Sequence, residues 1–334
     1  MLARGTITTL LGATVTLLLA APAHATLVYV KQTADLDFRV HVADDDGSDP
    51  HRLGLGRSPT VSPDGRWVAW IAPDDDVEQV MLRLADRSRK ARVVGRSQFM
   101  GELQFSPDSK SLGLVQGRRL FVYDIRARRS FKAASGNIRG FSFSVDSKAV
   151  AFGTSGTDGA LDAPSDLYRI AIDGGPRVRV TRDRKSLNPL WGANGIIHDR
   201  QLRRTADAPS YNLFEIQPDG GSLRRITALR IPHLVSGLIP LELSADGKRL
   251  LAEFVGQDTS VGFAVNPETG GVRALSRDSE NGFVAANLSA DGRTVLGHTG
   301  GPNPDRAGNV VTMPYRGGKP RVLVRRAAFP DWSR

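Results

Sequence analysis

A four-residue turn recurs along this chain at a near-constant interval. It reads Ser62-Pro63-Asp64-Gly65 and Ser106-Pro107-Asp108-Ser109, weakens to Ser144-Val145-Asp146-Ser147, and returns as Ser244-Ala245-Asp246-Gly247 and Ser289-Ala290-Asp291-Gly292. A short strand-like stretch precedes each copy, as in Glu102-Leu103-Gln104-Phe105, and an apolar run follows, as in Trp67-Val68-Ala69-Trp70-Ile71-Ala72. Aligning the end of that first strand gives Ser62, Ser106, Ser144, Gly192, Ser244, Ser289 and Ser333, at spacings of 44, 38, 48, 52, 45 and 44 residues. A period of this size is that of a four-stranded propeller blade. Such a unit buries its apolar faces only against its neighbours.

Proline presets the second position of a type I turn, aspartate accepts local hydrogen bonds, and glycine takes the left-handed conformation that follows. The motif is therefore a hairpin connector between the first two strands, A and B, of each blade, and not a phosphate loop. The fourth copy is degenerate, but its Asn194-Gly195 still suits a hairpin. Strands C and D follow, joined by turn formers such as Asp46-Gly47, Asp173-Gly174-Gly175 and Asp219-Gly220-Gly221. The B runs are apolar on both faces, as in a sheet packed between two others. Residues 26–56 supply strands B, C and D without an A, while Phe329-Pro330-Asp331-Trp332-Ser333-Arg334 supplies an A with nothing after it. Joining the two ends closes a ring and removes an exposed edge. The expected fold is all-β: a β-propeller of four-stranded antiparallel blades, seven in number with six as the alternative, closed by N-terminal B, C and D strands plus a C-terminal A strand.

Residues 1–25 stand apart from this pattern. Arg4 gives a positive start, the stretch from Thr6 to Ala20 is largely apolar but too short to span a bilayer comfortably, and Ala23-His24-Ala25 fits a small-x-small cleavage site. This predicts a secretory signal cleaved before Thr26, with an uncleaved anchor as the alternative, and a single domain over 26–334 in the periplasm or outside the cell. No later segment is long and apolar enough to cross a membrane, and a monomer is expected. The chain has no cysteine, so disulfides, thiolate catalysis and cysteine metal sites are excluded. Its 45 Lys and Arg outnumber 35 Asp and Glu, for a net charge of +10. That excess favours anionic partners: acidic proteins, phospholipid or cell-wall polymers. Nucleic acid is not expected, because export removes the usual target. The plainer alternative is that the arginines only solubilise a large surface.

The Ser-Pro-Asp-Gly repeats, the Asp-Gly connectors and the terminal Phe-Pro-Asp-Trp-Ser resemble the β-propeller of the TolB family, periplasmic components of the Tol–Pal system. The resemblance covers essentially all of 26–334. It implies an envelope protein that binds other proteins, without implying membership of Tol–Pal. Two departures stand out: that propeller has six blades, and the family carries a separate N-terminal α/β domain for which this chain has no room. Related repeats also occur in peptidase and lyase propellers, so the motif specifies fold better than function.

No enzymatic signature is present. There is no Gly-x-Ser-x-Gly elbow, Gly153-Thr154-Ser155-Gly156-Thr157 lacking the final glycine. There is no His-Glu-x-x-His, Walker motif or dinucleotide fingerprint. Asp44-Asp45-Asp46-Gly47-Ser48-Asp49 looks superficially like a calcium loop but lacks the closing glutamate and falls where a C–D turn belongs. Pro73-Asp74-Asp75-Asp76 is read as a solvated B–C loop. His41 and His51 fall in outer strands or their turn, and His198 and His298 in strand B; only His233 lies in a D–A loop, and one histidine is not a metal site. No metal and no cofactor are expected.

Propeller topology places A–B and C–D turns on one face, and D–A and B–C loops on the other. The long connections, at 154–166, 200–211, 230–238 and 299–309, all belong to the second face, and surface loops commonly carry function. The D–A loops also approach the channel. The candidate ligand-binding ring is Arg57, Ser58, Gln98, Asn137, Arg139, Ser186, Asn188, His233, Glu280 and Asn281, with Met100 and Ser236 nearby. Arginines in such a ring suit carboxylates or phosphates; for any single residue the alternative is that it satisfies loop backbone. The leading expectation is an exported, non-enzymatic propeller that binds a protein or peptide, acidic ones among the candidates, on this face. The alternatives are a sensor or carrier for a small or anionic ligand in the channel, and a propeller lyase or lactonase-like hydrolase.

Overall fold

The computed structural model describes residues 26–33, 37–155, 164–204, 209–229, 235–256, 260–276, 282–289, 291–300 and 308–333. The predicted signal at 1–25 lies outside them. Every strand-forming stretch read from the sequence is a strand, and no helix occurs among the described residues, so none is long and apolar enough to cross a membrane.

Among the described residues five sheets have four strands, each ordered A-B-C-D across the sheet. One of them is the expected composite: Ala328–Trp332 pairs with Thr26–Gln32, which continues to Phe38–Asp44 and His51–Leu55. The sixth sheet has eight strands. Its halves, from the repeats at 186–225 and 235–274, meet through one parallel pair, Tyr211 with Gly237. The D strand between them is only Arg224–Arg225, which covers Phe214 and Glu215 and leaves the Tyr211 end of the C strand free to pair onward.

Packing follows the repeats. Strand B is apolar on both faces, as in Trp67–Asp74 and Ser111–Gln116, where five successive residues are buried in each. Among the described residues seven apolar clusters result, and each spans one junction between consecutive repeats. One joins Leu296 and Val310 to Leu27 and Tyr29, across the chain ends. Another joins Ile197 and Leu213 to Leu238 and Leu250, across the eight-stranded sheet. Gly113 is required at one junction: a Cβ there would stand 2.3 Å from the Phe141 ring of the next repeat.

The repeated turn shows why its first residue is serine. The Ser62 hydroxyl donates to Asp64 at 2.5 Å and accepts the Trp67 amide at 2.9 Å. The same pair of bonds recurs at Ser106, Ser144, Ser244 and Ser289. The aspartate in turn accepts the amide two residues on, and the fourth residue donates to the serine carbonyl. The second residue's amide has no part in this network, so Val145 and Ala245 replace proline without breaking it.

The expected B–C loop at 73–76 is shorter than read: strands run through Asp74 and resume at Val77, leaving a two-residue turn. The acidic stretch at 44–49 is a C–D turn, closed by the Gly47 amide on the Asp44 carbonyl at 2.9 Å.

Candidate functional site: the channel wall

The first strand of each of the seven repeats lies innermost and faces the central axis; six of them are paired on one side only, and Val235–Leu243 also meets the preceding repeat through the Tyr211–Gly237 pair. All seven of these strands lose register at the same level, through a bulge or equivalent irregularity. A bulge re-aims the side chain of the extra residue. Counted four residues back from the aligned serine, the positions at this level include Ser58, Glu102, Gly140, Asn188 and Phe329. Ser58, Asn188 and Phe329 have φ of 49°, 41° and 50°, and Gly140 has 75°. Left-handed backbone at a non-glycine residue costs about 1–2 kcal/mol, and such strain concentrates at functional positions. Ser58, Glu102 and Phe329 are exposed although they lie on innermost strands, so water reaches the wall at this level.

Two carboxyls in this region are pushed toward neutrality. Asp199, on the strand Gly195–Arg204, is buried; desolvation raises its pKa to about 7, against the opposing effects of a hydrogen bond from the Asn188 side chain and the charge of Arg139. One of its oxygens, Oδ1, has no hydrogen-bond partner. Surrounding protein also pushes Glu102 up, to about 7, although the Phe141 amide bonds to it. Glu102 is nonetheless exposed as a residue, whereas Asp199 is buried.

The residues expected on D–A loops are mostly on strands, because several of those loops barely exist. A single residue, Gly56 or Gly136, connects D to A in the first and third repeats, and Gln98 and Phe99 do so in the second. Arg57, Ser58, Asn137, Arg139, Ser186 and Asn188 therefore sit within innermost strands. Arg57 is committed: its guanidinium forks onto Glu78 at 2.7–3.1 Å and donates to the Met100 carbonyl at 2.9 Å, while Glu78 accepts the Met100 amide at 2.7 Å. Met100 is fully buried and belongs to the core, not to the ring. Asn137 donates to Ser155 at 2.8 Å, and buried Ser186 bonds Asp183 at 3.3 Å. Gln98 is exposed beside Phe99, which is 60% exposed. His233, Glu280 and Asn281 lie outside the described residues, and Ser236 falls on the strand Val235–Leu243.

The long connections contract in the same way. The 200–211 loop is reduced to 205–208 by strands reaching Arg204 and starting at Pro209. What remains of it, like much of the other long connections, falls outside the described residues.

His41, His198 and His298 keep structural positions, while His51 pairs with Asp49 at 2.9 Å near a turn. His41 stacks on Tyr29 with centroids 5.5 Å apart, and burial, helped by Lys31, Arg52 and Arg39, lowers its pKa to about 4. Burial lowers His198 and His298 to about 4 as well. Among the described residues no three His, Asp or Glu side chains converge in a group able to hold a metal.

The sequence signal that finds Glu102 and Phe329 is the repeat itself, read four positions before its serine. Asp199 carries no such signal, since the equivalent B-strand positions hold Ile71, Val115 and Gly153.

No family model and no curated protein matches the chain. Solved structures do. TolB from Acinetobacter baumannii aligns with a TM-score of 0.56 at 17% identity, over 92% of this chain and 82% of that one. The β-propeller domain of the trilobed protease from Pyrococcus furiosus aligns at 0.65 and 10% identity, over 91% and 95%. An oligogalacturonate lyase from Vibrio parahaemolyticus aligns at 0.60 and 12%, over 91% and 87%. Identities this low carry the fold alone, and the neighbours include enzymes as well as TolB. By fold, this chain resembles the TolB-type β-propeller.

Proposed function

We propose that this protein is an exported, non-enzymatic binding module that takes a protein or peptide partner on its D–A/B–C face. The observation that carries this reading is the common register break in the innermost strands. It spends backbone strain at Ser58, Asn188 and Phe329 to present a mixed polar and aromatic wall to water, which a closed core does not require. Exposed Phe99 extends that surface at the channel mouth. Arg57 and Arg139 support a broad surface over a compact anion pocket: they lie on non-adjacent sheets, Arg57 clamped to Glu78 and Arg139 acting on Asp199. The apolar segment at 1–25 and the TolB-like neighbours support an envelope location.

Affinity capture from an envelope extract tests the reading, using the chain 26–334 and a Phe99→Asp/Glu102→Arg variant. One protein retained by the parent and lost by the variant is the expected result. Equal retention by both, or none by either, overturns it.

A second reading rests on Glu102 and Asp199, since carboxyls poised near neutrality suit general acid–base work. It places the chain with the lyase-like neighbours. Eliminative cleavage of an acidic polysaccharide, abolished by Asp199→Asn, is the assay that favours it.

A further inference from the structure

The sheets radiate from the axis, so the gaps between them widen outward, and two clefts open on the A–B/C–D face although its turns are tight. They occupy equivalent places, each between the C–D hairpin of one repeat and the C strand end of the next. Their charge differs. The cleft between the first and second repeats mixes Asp44, Asp49 and Asp86 with Arg66, Arg87 and His51. The cleft between the sixth and seventh repeats, of about 490 Å³, is lined by Lys248, Arg249, Arg273 and Arg316, with no carboxylate among the described residues of its walls.

The second cleft has a fixed floor and crowded cations. The Tyr315 hydroxyl bridges the Leu250 and Val265 carbonyls, at 3.1 and 2.7 Å, across the sixth repeat. Arg273 crosses the junction to donate to the Tyr315 carbonyl at 2.7 Å and lies against the turn that carries Arg316. Arg249 spans the rim between the Asp246 carboxylate and the Asp291 carbonyl, both at 3.3 Å. Asp246 and Asp291 each already accept a serine hydroxyl and a backbone amide of their own turn. Among the described residues, Lys248, Arg273 and Arg316 take part in no ion pair. Like charges gathered around a concave surface repel one another and raise the local concentration of anions. Guanidinium forks fit carboxylate and phosphate oxygens in particular.

We infer that this cleft is a binding site for a compact polyanion carrying at least two phosphate or carboxylate groups. Its volume falls in the range of small-molecule sites. The site lies on the face opposite the channel mouth and is independent of the function proposed above.

Calorimetric titration of the chain 26–334 with inorganic pyrophosphate, and separately with tri-glutamate, tests it. The variants are Arg273→Ser/Arg316→Ser in this cleft and Arg66→Ser/Arg87→Ser in its equivalent. All four residues are solvent-accessible, and thermal melts check that each variant folds. The expected result is binding of one or both probes, weakened about tenfold or more in the first variant, as loss of two charge-assisted contacts requires, and unchanged in the second. Pyrophosphate alone marks a phosphate site, and tri-glutamate alone a carboxylate site. Binding of neither probe, binding indifferent to the first variant, or an equal loss in both variants overturns the inference.

Discussion

At the scale of single residues, the fold turns on which groups hydrogen-bond and which are left alone. Asp199 is left half-satisfied in a dry place. Its folded pKa, about 7, stands above the ordinary carboxylate value, so the folded protein binds the extra proton between about pH 4 and 7. Its contribution is therefore most favourable below that window and is lost as pH rises through it. Asp199→Asn removes the ionisation, and its stability relative to the parent should improve between pH 4.5 and 7.5. The gain is on the order of a few kcal/mol, since each tenfold difference in proton affinity between folded and unfolded chain is worth about 1.4 kcal/mol. Urea denaturation at the two pH values measures it; a difference that does not change with pH refutes the assignment. Ser109 makes a different case. It occupies a glycine position with φ of 60°, and its hydroxyl accepts the Asp64 amide of the preceding repeat at 3.1 Å. Ser147 does the same for Asp108 at 3.0 Å. Ser109→Ala should cost about 1–2 kcal/mol by leaving that amide unpaired. Ser109→Gly should be nearer neutral, because relief of the left-handed conformation offsets the loss. Thermal melts of the pair check the order.

At the scale of elements, the sheets meet mainly through side chains, so the junctions need their own polar ties. The residue two before the aligned serine supplies one repeatedly. Gln104 accepts the Phe143 amide, Ser142 the Trp191 amide, Glu242 the Leu288 amide, and Asp331 the Val61 amide, at 2.8–3.3 Å. Each bond joins one innermost strand to the next around the ring. Asp331 also accepts the Thr60 hydroxyl at 2.6 Å and so ties the chain's last strand to the second repeat. Asp331→Ala should lower stability by about 2–4 kcal/mol, the scale of two hydrogen bonds to a charged group. Asp331→Asn, which keeps an acceptor, should recover most of it; equal losses in the two variants would show that the bonds do not matter. The repeat was legible in the sequence because turn chemistry and apolar runs are local. Which innermost-strand residues face water was not, because a bulge shifts register by one residue and periodicity cannot reveal that. Arg57 illustrates the consequence: its residue type suits an anion ligand, yet Glu78, twenty-one residues away, holds it.

At the scale of the molecule, the first and last described strands close the ring through backbone and side-chain hydrogen bonds. The Ser333 amide donates to the Thr26 carbonyl at 2.9 Å, the Thr26 amide donates to the Ser333 hydroxyl at 2.8 Å, and Trp332 donates to the Leu288 carbonyl at 3.1 Å. The composite sheet was foreseeable from the mismatched ends of the chain, whereas the division of charge between two equivalent clefts was not, since it depends on which turns become neighbours around the ring. Closure also gives the molecule two chemically distinct faces, and a partner protein is proposed to meet the D–A/B–C face. Phe99 and Val145 are exposed apolar residues on opposite faces, at 60% and 56% exposure. A photo-crosslinking amino acid placed at each in turn, in the native envelope, is the most direct test. A discrete protein adduct from position 99 and none from position 145 is the predicted result; adducts from 145 alone, or from neither, would contradict it.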